Sequence, residues 1–159
     1  DYALTGSQKA LAMPAGLAFA VASEAFVADA AQGAARGLYF DLVEFEQYVG
    51  KHQTPNTPAI SLFYAAEVQL ARIAAETMPG RWARHAEMAA LTHRWVEAHA
   101  ERFGIRILAG AGHRSPTVTA VTVPEGLTGT DVVKAVARRG AVIGDGYGKA
   151  KARTFRIGH

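Results

Sequence analysis

Lys9 closes the run Thr5-Gly6-Ser7-Gln8-Lys9, directly after the short apolar stretch Tyr2-Ala3-Leu4. A strand that ends in Thr, Gly and Ser turns sharply and presents hydroxyls and backbone N–H groups, a combination that suits an anion. An amine held at such a turn and partly removed from water releases its proton more readily and becomes a nucleophile toward carbonyls. Taken alone, a lysine in a polar turn is far more often simply solvated, so Lys9 needs company. Two other places offer it. In Gln53-Thr54-Pro55-Asn56-Thr57-Pro58, Thr57 is a good N-cap and Pro58 suits the first helical position. A hydroxyl and a helix N-terminus would then face the same anion, although capping its own helix is an equally good use of Thr57. In Phe155-Arg156-Ile157 an arginine interrupts an apolar strand. Its planar fork makes two parallel charge-assisted bonds to a carboxylate, and the competing reading is an edge-strand arginine turned to solvent.

The elements that must position these groups follow from pattern and punctuation. Tyr2 to Leu4 reads as a strand running into a turn. Leu17 to Ala22, short, apolar and uninterrupted, reads as a buried strand. Ser23 caps a short helix, and Asp41 to Tyr48 reads as another. A long helix is expected from Thr57 and Pro58 to about Met78, with Ile60, Phe63, Ala66, Leu70 and Ile73 as its apolar stripe. Pro79-Gly80 should break the chain. A second long helix then runs from about Arg81 to Arg102, with Met88, Leu91, Trp95 and Ala98 as its stripe and Gly104 as its stop. Its Met and Trp residues read as packing. Beyond it the character changes: strands at Ile105–Leu108 and Thr117–Val123, a helix capped by Thr130 and ending near Gly140, and strands at Ala141–Ile143 and Thr154–Ile157. The second half is thus a small α+β layer.

Bulk properties bound the function. The chain has 159 residues, half of them apolar and 19% charged, enough for a real core and too apolar for a disordered chain. It has no cysteine, which removes disulfides and thiolate zinc sites and fits a reducing compartment. A net charge of +3 without a basic tract gives no nucleic-acid arm. The uncharged, largely apolar run Ala10 to Ser23 is interrupted by Pro14 and Gly16 and too short to span a membrane. No signal peptide is legible. The six histidines are dispersed; His93 and His99, six apart, lie on different helix faces, so no metal site is expected. Gly144-Asp145-Gly146-Tyr147-Gly148-Lys149 lacks the Walker spacing and the hydroxyl after its lysine, and Lys149, Lys151 and Arg153 read as a solvated turn. Asp1 is not a methionine and His159 directly follows a strand, so the sequence reads as a piece of a longer protein.

The run from Thr5 to Leu11 with Pro14-Ala15-Gly16-Leu17 resembles the cofactor-lysine segment of class V aminotransferases, those of the alanine–glyoxylate and serine–pyruvate kind. Thr54 to Tyr64 is similar to that family's loop and helix, and Gly146-Tyr147-Gly148-Lys149 with Phe155-Arg156-Ile157-Gly158-His159 to its Gly-rich turn and Arg-Ile-Gly strand. The resemblance runs in register through the whole chain, which starts just before the cofactor lysine. It implies fold type I, the α/β fold of PLP-dependent transferases. Residues 1–78 would be the end of the large PLP-binding domain, and residues 79–159 a small α+β domain, incomplete at its end.

It also implies pyridoxal 5'-phosphate as cofactor, with Lys9 as the Schiff-base and proton-transfer lysine. Ser7 and Gln8 would lie by the cofactor. Thr57 and Thr54 would reach the phosphate of a partner subunit's cofactor in a homodimer. Arg156 would grip the α-carboxylate of the substrate. The implied reaction is a ping-pong exchange of an amino group between a small amino acid such as alanine or serine and a 2-oxo acid such as glyoxylate or pyruvate, in the cytoplasm, with no nucleic acid or membrane as partner. The carboxylate for the pyridine nitrogen and the ring-stacking aromatic are absent, so the 159 residues alone should not transaminate. Rivals are a PLP lyase, a phosphoserine aminotransferase of the same fold, or a non-catalytic phosphate- or nucleotide-binding module using Gly146–Lys149. A desulfurase would need a cysteine that this chain lacks.

Overall fold

The computed structural model describes all 159 residues as two compact units, Asp1–Ala75 and Glu76–His159. In the first, β1 (Tyr2–Gly6) pairs antiparallel with β2 (Ala18–Ala22), Tyr2 opposite Ala22 and Gly6 opposite Ala18. Contrary to the buried strand expected at Leu17–Ala22, β2 is largely exposed, Val21 by 75%. A ladder of two strands has no neighbour in this unit to cover Leu4 and Val21. Helix α1 (Glu24–Ala31) starts at Ser23, whose hydroxyl accepts from Phe26 N at 3.3 Å. Phe26 stacks on Tyr2. Helix α2 (Leu42–Gly50) is capped by Asp41, which accepts from Val43 N and Glu44 N. The Arg36 guanidinium, 2.9 Å from Asp41, is the main reason this carboxyl sits below its ordinary range, with burial opposing. Helix α3 (Ile60–Glu76) buries only Ala66; Ile60, Phe63 and Leu70 of the expected stripe remain about half exposed.

The second unit opens with α4 (Met78–Ala98). The break expected at Pro79-Gly80 falls instead at Thr77, which adopts φ 64° and caps the helix by accepting from Gly80 N. Proline in the first turn is tolerated because no intrahelical bond is due from its nitrogen. The inward face of α4 is also displaced from the expected stripe. Ala89 and Val96 are buried, with His85 and His93 beside them, while Leu91 is 61% exposed. The tryptophans are not core: Trp82 is exposed, and Trp95 stacks on His99, which stacks on Phe103. After α5 (Ala100–Phe103), Gly104 at φ 64° supplies the expected left-handed stop.

Four antiparallel strands follow: β3 (Arg106–Ile107), β4 (Val118–Thr122), β5 (Gly144–Asp145) and β6 (Thr154–Gly158), in the order β3-β4-β6-β5. Ala141–Ile143 is not a strand; the pairing residues are the next two. Helix α6 (Gly129–Ala137) precedes β5. Its N-cap is Thr128, not Thr130. Thr128 Oγ1 accepts from Asp131 N, and the Asp131 carboxylate accepts from Thr128 N, a capping box. The Thr128 hydroxyl donating to Asp131 Oδ2 at 2.6 Å, and then that backbone bond, hold the Asp131 carboxyl below its usual range. Thr130 instead donates to Asp145 Oδ1 at 3.0 Å.

The core is Val96, Ile105, Val121 and Phe155, with Val132, Val133 and Ile157 packed around it. Strand alternation therefore places Val121 and Phe155 toward α4 and α6, and Arg156 on the opposite face of the sheet. No helix of the chain is long and apolar enough to cross a membrane.

Candidate active site

Ser7, Gln8 and Lys9 share one tight turn. Lys9 N donates to Gly6 O at 3.1 Å, Ala12 N to Lys9 O at 2.9 Å and Met13 N to Ser7 O at 3.0 Å. Ser7 is fully buried. Its hydroxyl donates to Pro14 O at 2.7 Å and accepts from Leu17 N at 3.2 Å, while its own N–H donates to Leu17 O. The single hydroxyl proton is thereby spent on the turn, so Ser7 has none for a phosphate; it staples the loop that presents Lys9. Gln8 is exposed, with its carboxamide lying back over Gly6, where a Cβ would meet Oε1 at 2.6 Å. The Lys9 side chain is exposed as well. The partial desolvation expected of a nucleophilic lysine is not provided by these residues.

Thr54 and Thr57 share the loop before α3. Thr54 is committed locally, donating to Asn56 O at 2.7 Å. Thr57 does not cap the helix, as its position suggested. The helix begins three residues later, with Phe63 N bonded to Ala59 O. The Thr57 hydroxyl is exposed and has no partner within the chain. A PLP-type ligand asks this unit for an accessible primary amine and for hydroxyl donors with nothing else to bind. Lys9 presents an accessible amine and Thr57 an uncommitted hydroxyl, whereas the hydroxyl protons of Ser7 and Thr54 are engaged within their own loops.

Arg156 belongs to the other unit. It lies on β6, an interior strand between β4 and β5, which removes the edge-strand reading. Its side chain crosses β5 over Gly144, where a Cβ would lie 3.6 Å from Arg156 Cβ and 3.7 Å from Nε. Nε donates to Asp145 O at 2.6 Å, and the guanidinium lies 5.8 Å from the centre of the Tyr147 ring. The Asp145 carboxylate is engaged by Thr130, so what Arg156 receives is a backbone carbonyl. No carboxylate of the chain lies within ion-pair distance of Arg156; the four ion pairs join Arg36 to Asp41, Arg81 and Arg84 to Glu76, and Arg114 to Glu97. A half-buried cation with one edge anchored and its two terminal nitrogens unpaired is set for an external carboxylate.

Sequence reasoning missed the Tyr147 contact and a histidine network on the opposite sheet face. Thr92 Oγ1 donates to Met88 O, so it accepts from His159 Nδ1 at 3.3 Å. In neutral His159 the Nε2 is then the acceptor for Thr119 Oγ1 at 2.8 Å, and Thr119 in turn accepts from His93 Nε2 at 3.0 Å. His85 Nδ1 reaches His159 O at 2.9 Å. Burial foremost, then the nearby His93 and His85, lowers the His159 pKa. The signal was present: His85, Ala89 and His93 follow at steps of four, whereas the pair weighed, His93 and His99, does not share a face. No group of three His, Cys, Asp or Glu side chains is arranged to hold a metal.

Comparison with known proteins places this geometry. No family model matches the chain. It is 35% identical over its whole length to an uncharacterized aminotransferase of Methanocaldococcus jannaschii, covering 41% of that protein. It is 34% identical over its whole length to a serine–glyoxylate aminotransferase of Arabidopsis thaliana, covering 39% of it. It matches all of its own length, and 41% of the other chain, to the crystal structure of a pyridoxamine–pyruvate aminotransferase from Mesorhizobium loti, with a TM-score of 0.85 and 30% identity. The fold is thus a portion of the α/β fold type I architecture of aminotransferases. Within that class, the chain is similar over its whole length to a portion of the class V aminotransferases, a PLP-dependent family. It spans about two fifths of the length of the relatives it matches.

Proposed function

We propose that the protein containing this segment is a PLP-dependent aminotransferase. It exchanges an amino group between a small amino acid such as serine or alanine and a 2-oxo acid such as glyoxylate or pyruvate, in two half-reactions on one site. The observation that carries the reading is Arg156: a half-buried guanidinium with no internal carboxylate, anchored at Nε with its terminal nitrogens unpaired. A 2-amino acid and a 2-oxo acid share only the α-carboxylate, and one bidentate arginine serves both. Bound PLP supplies an electron sink for charge developing at the substrate Cα. Lys9 Nζ is the attachment point and, when free, the base that takes and returns the proton at that carbon. Thr57 donates its uncommitted hydroxyl to the cofactor phosphate of a partner subunit in a homodimer, and Gln8 lies beside the phosphate. Ser7 acts by holding the turn.

On this reading residues 1–78 end the large domain and 79–159 form the small one. The 159 residues alone do not transaminate, because the exposed Lys9 lacks the walls that would shed water from its amine. The test is optical. Full-length protein with PLP should absorb in the visible, lose that band on borohydride reduction, and carry the label on Lys9. A label elsewhere, or no band, overturns the assignment. A screen of amino donors by loss of the same band then names the substrates.

A further inference from the structure

We infer that Tyr147 is a positioning residue for Arg156: its ring is the shelf that fixes the plane of the guanidinium, so that the carboxylate grip is set by Tyr147 for both substrates alike. This rests on the reading of Arg156 as the carboxylate ligand. An arginine held only at Nε pivots about that bond, and its two terminal nitrogens sweep an arc. Here Nε is fixed on Asp145 O at 2.6 Å and the guanidinium carbon lies 5.8 Å from the Tyr147 ring centre. The Nε bond and the aromatic neighbour together restrict that pivot and hold the guanidinium alongside β5, with one terminal nitrogen beside Gly144. The neighbouring strand runs beside it: a Cβ added at Gly144 would stand in ordinary contact with the arginine side chain.

Tyr147 has no competing employment. It is 81% exposed, its side chain makes no hydrogen bond and it belongs to no core cluster, yet it stands between two glycines, Gly146 and Gly148, the second at φ 54°. A large aromatic held out on such a turn contributes nothing to burial; its one contact is with the arginine. An aromatic face attracts a cation through its quadrupole, an effect worth about a two- to fivefold change in affinity at exposed sites. The hydroxyl is not needed for this, only the ring.

Both half-reactions present the same α-carboxylate, so loss of the shelf must weaken both by the same factor. The experiment uses the full-length protein with PLP, with serine as donor and glyoxylate as acceptor, together with calorimetric binding of propionate, a carboxylate that cannot react. Tyr147→Ala is expected to raise both KM values and the propionate Kd by about two- to fivefold, each by the same factor, with kcat unchanged; Tyr147→Phe restores all three. Arg156→Lys is expected to raise them about tenfold or more. If Arg156→Lys has its effect while Tyr147→Ala leaves KM and Kd unmoved, the shelf is overturned and Arg156 stands. If Tyr147→Ala changes one substrate only, the ring contacts that substrate's side chain and the inference fails. If Arg156→Lys changes nothing, the carboxylate assignment falls and the shelf with it.

Discussion

Gly129→Ala is the sharpest single perturbation that this structure offers. Gly129 is the first residue of α6 and is buried against β6. A Cβ there would overlap the carbonyl oxygen of Thr154, and lie 2.5 Å from the carbonyl carbon and 3.2 Å from Phe155 N. These are strand backbone atoms, not the end of a flexible side chain. Neither partner can yield locally, because Thr154 and Phe155 are paired with Thr122 and Val121 of β4 and Phe155 is in the core. The first turn of α6 must lift, and Val132 and Val133 with it.

Overpacking of this kind costs about 1–3 kcal/mol, and a clash with fixed backbone belongs at the upper end. With a urea dependence of about 1–3 kcal/mol per molar, the unfolding midpoint should drop by about 1 M or more. The paired control is Gly112→Ala, where nothing lies within 4 Å of the new Cβ and φ is ordinary; it should change stability by less than about 0.5 kcal/mol. Urea melts of the full-length variants, followed by near-ultraviolet circular dichroism, decide the matter. Equal midpoints for the two alanine variants would refute the account of α6 resting directly on the Arg156 strand.

Three further outcomes are expected. Ser7→Ala strips Leu17 N and Pro14 O of their shared partner and should cost about 1–2 kcal/mol, with weaker PLP retention, read by urea melts and dialysis; unchanged values would show the turn closes without it. Thr128→Ala removes the capping box of α6 and should cost about 1 kcal/mol, with Thr128→Ser close to wild type; a melt of the two variants checks this. His159 has a folded pKa below its ordinary 6.5, so the unfolded chain takes up its proton first as pH falls. Stability is therefore full above about pH 6.5 and declines as pH drops toward the lower folded value. An NMR titration of His159 with a midpoint at or above 6.5 would contradict the burial described.

In the second unit β4 was legible from its β-branched residues, α6 from the hydroxyls at its start and the stop after α5 from Gly104, whereas β5, a Gly-Asp pair, was not. What was not legible depended on tertiary context. Pro79 reads as a breaker, but the break is the positive φ of Thr77, for which no side chain advertises. The apolar side of α4, with Leu91 and Trp95, faces out, while its inward side is Ala89, His93 and Val96; the histidine is acceptable there only because Thr119 comes from β4 to meet it. Arg156 stood out by interrupting an apolar strand, and Lys9 by its hydroxyl-rich turn, though only in company with Thr57 and Arg156. Ser7 did as well, yet its hydroxyl is consumed by Pro14 and Leu17, seven and ten positions away, and local spacing has no view of that closure. Thr57 looked like a cap because it precedes proline; the helix starts later and leaves it free.

The alternation along β6 has a bearing on how errors in this protein would show themselves. Phe155 and Ile157 fill the core from one face of the strand while Arg156 stands on the other. A slip of one position against β4 would drive the guanidinium into the space of Phe155 and turn the aromatic out. The same register thus writes the core and the placement of Arg156, the proposed carboxylate ligand, and a miscopied pairing cannot yield a sound fold with that arginine misplaced. Proofreading of Arg156 is delegated to the packing behind it: any molecule that passes quality control for folding has Arg156 on the face opposite the core.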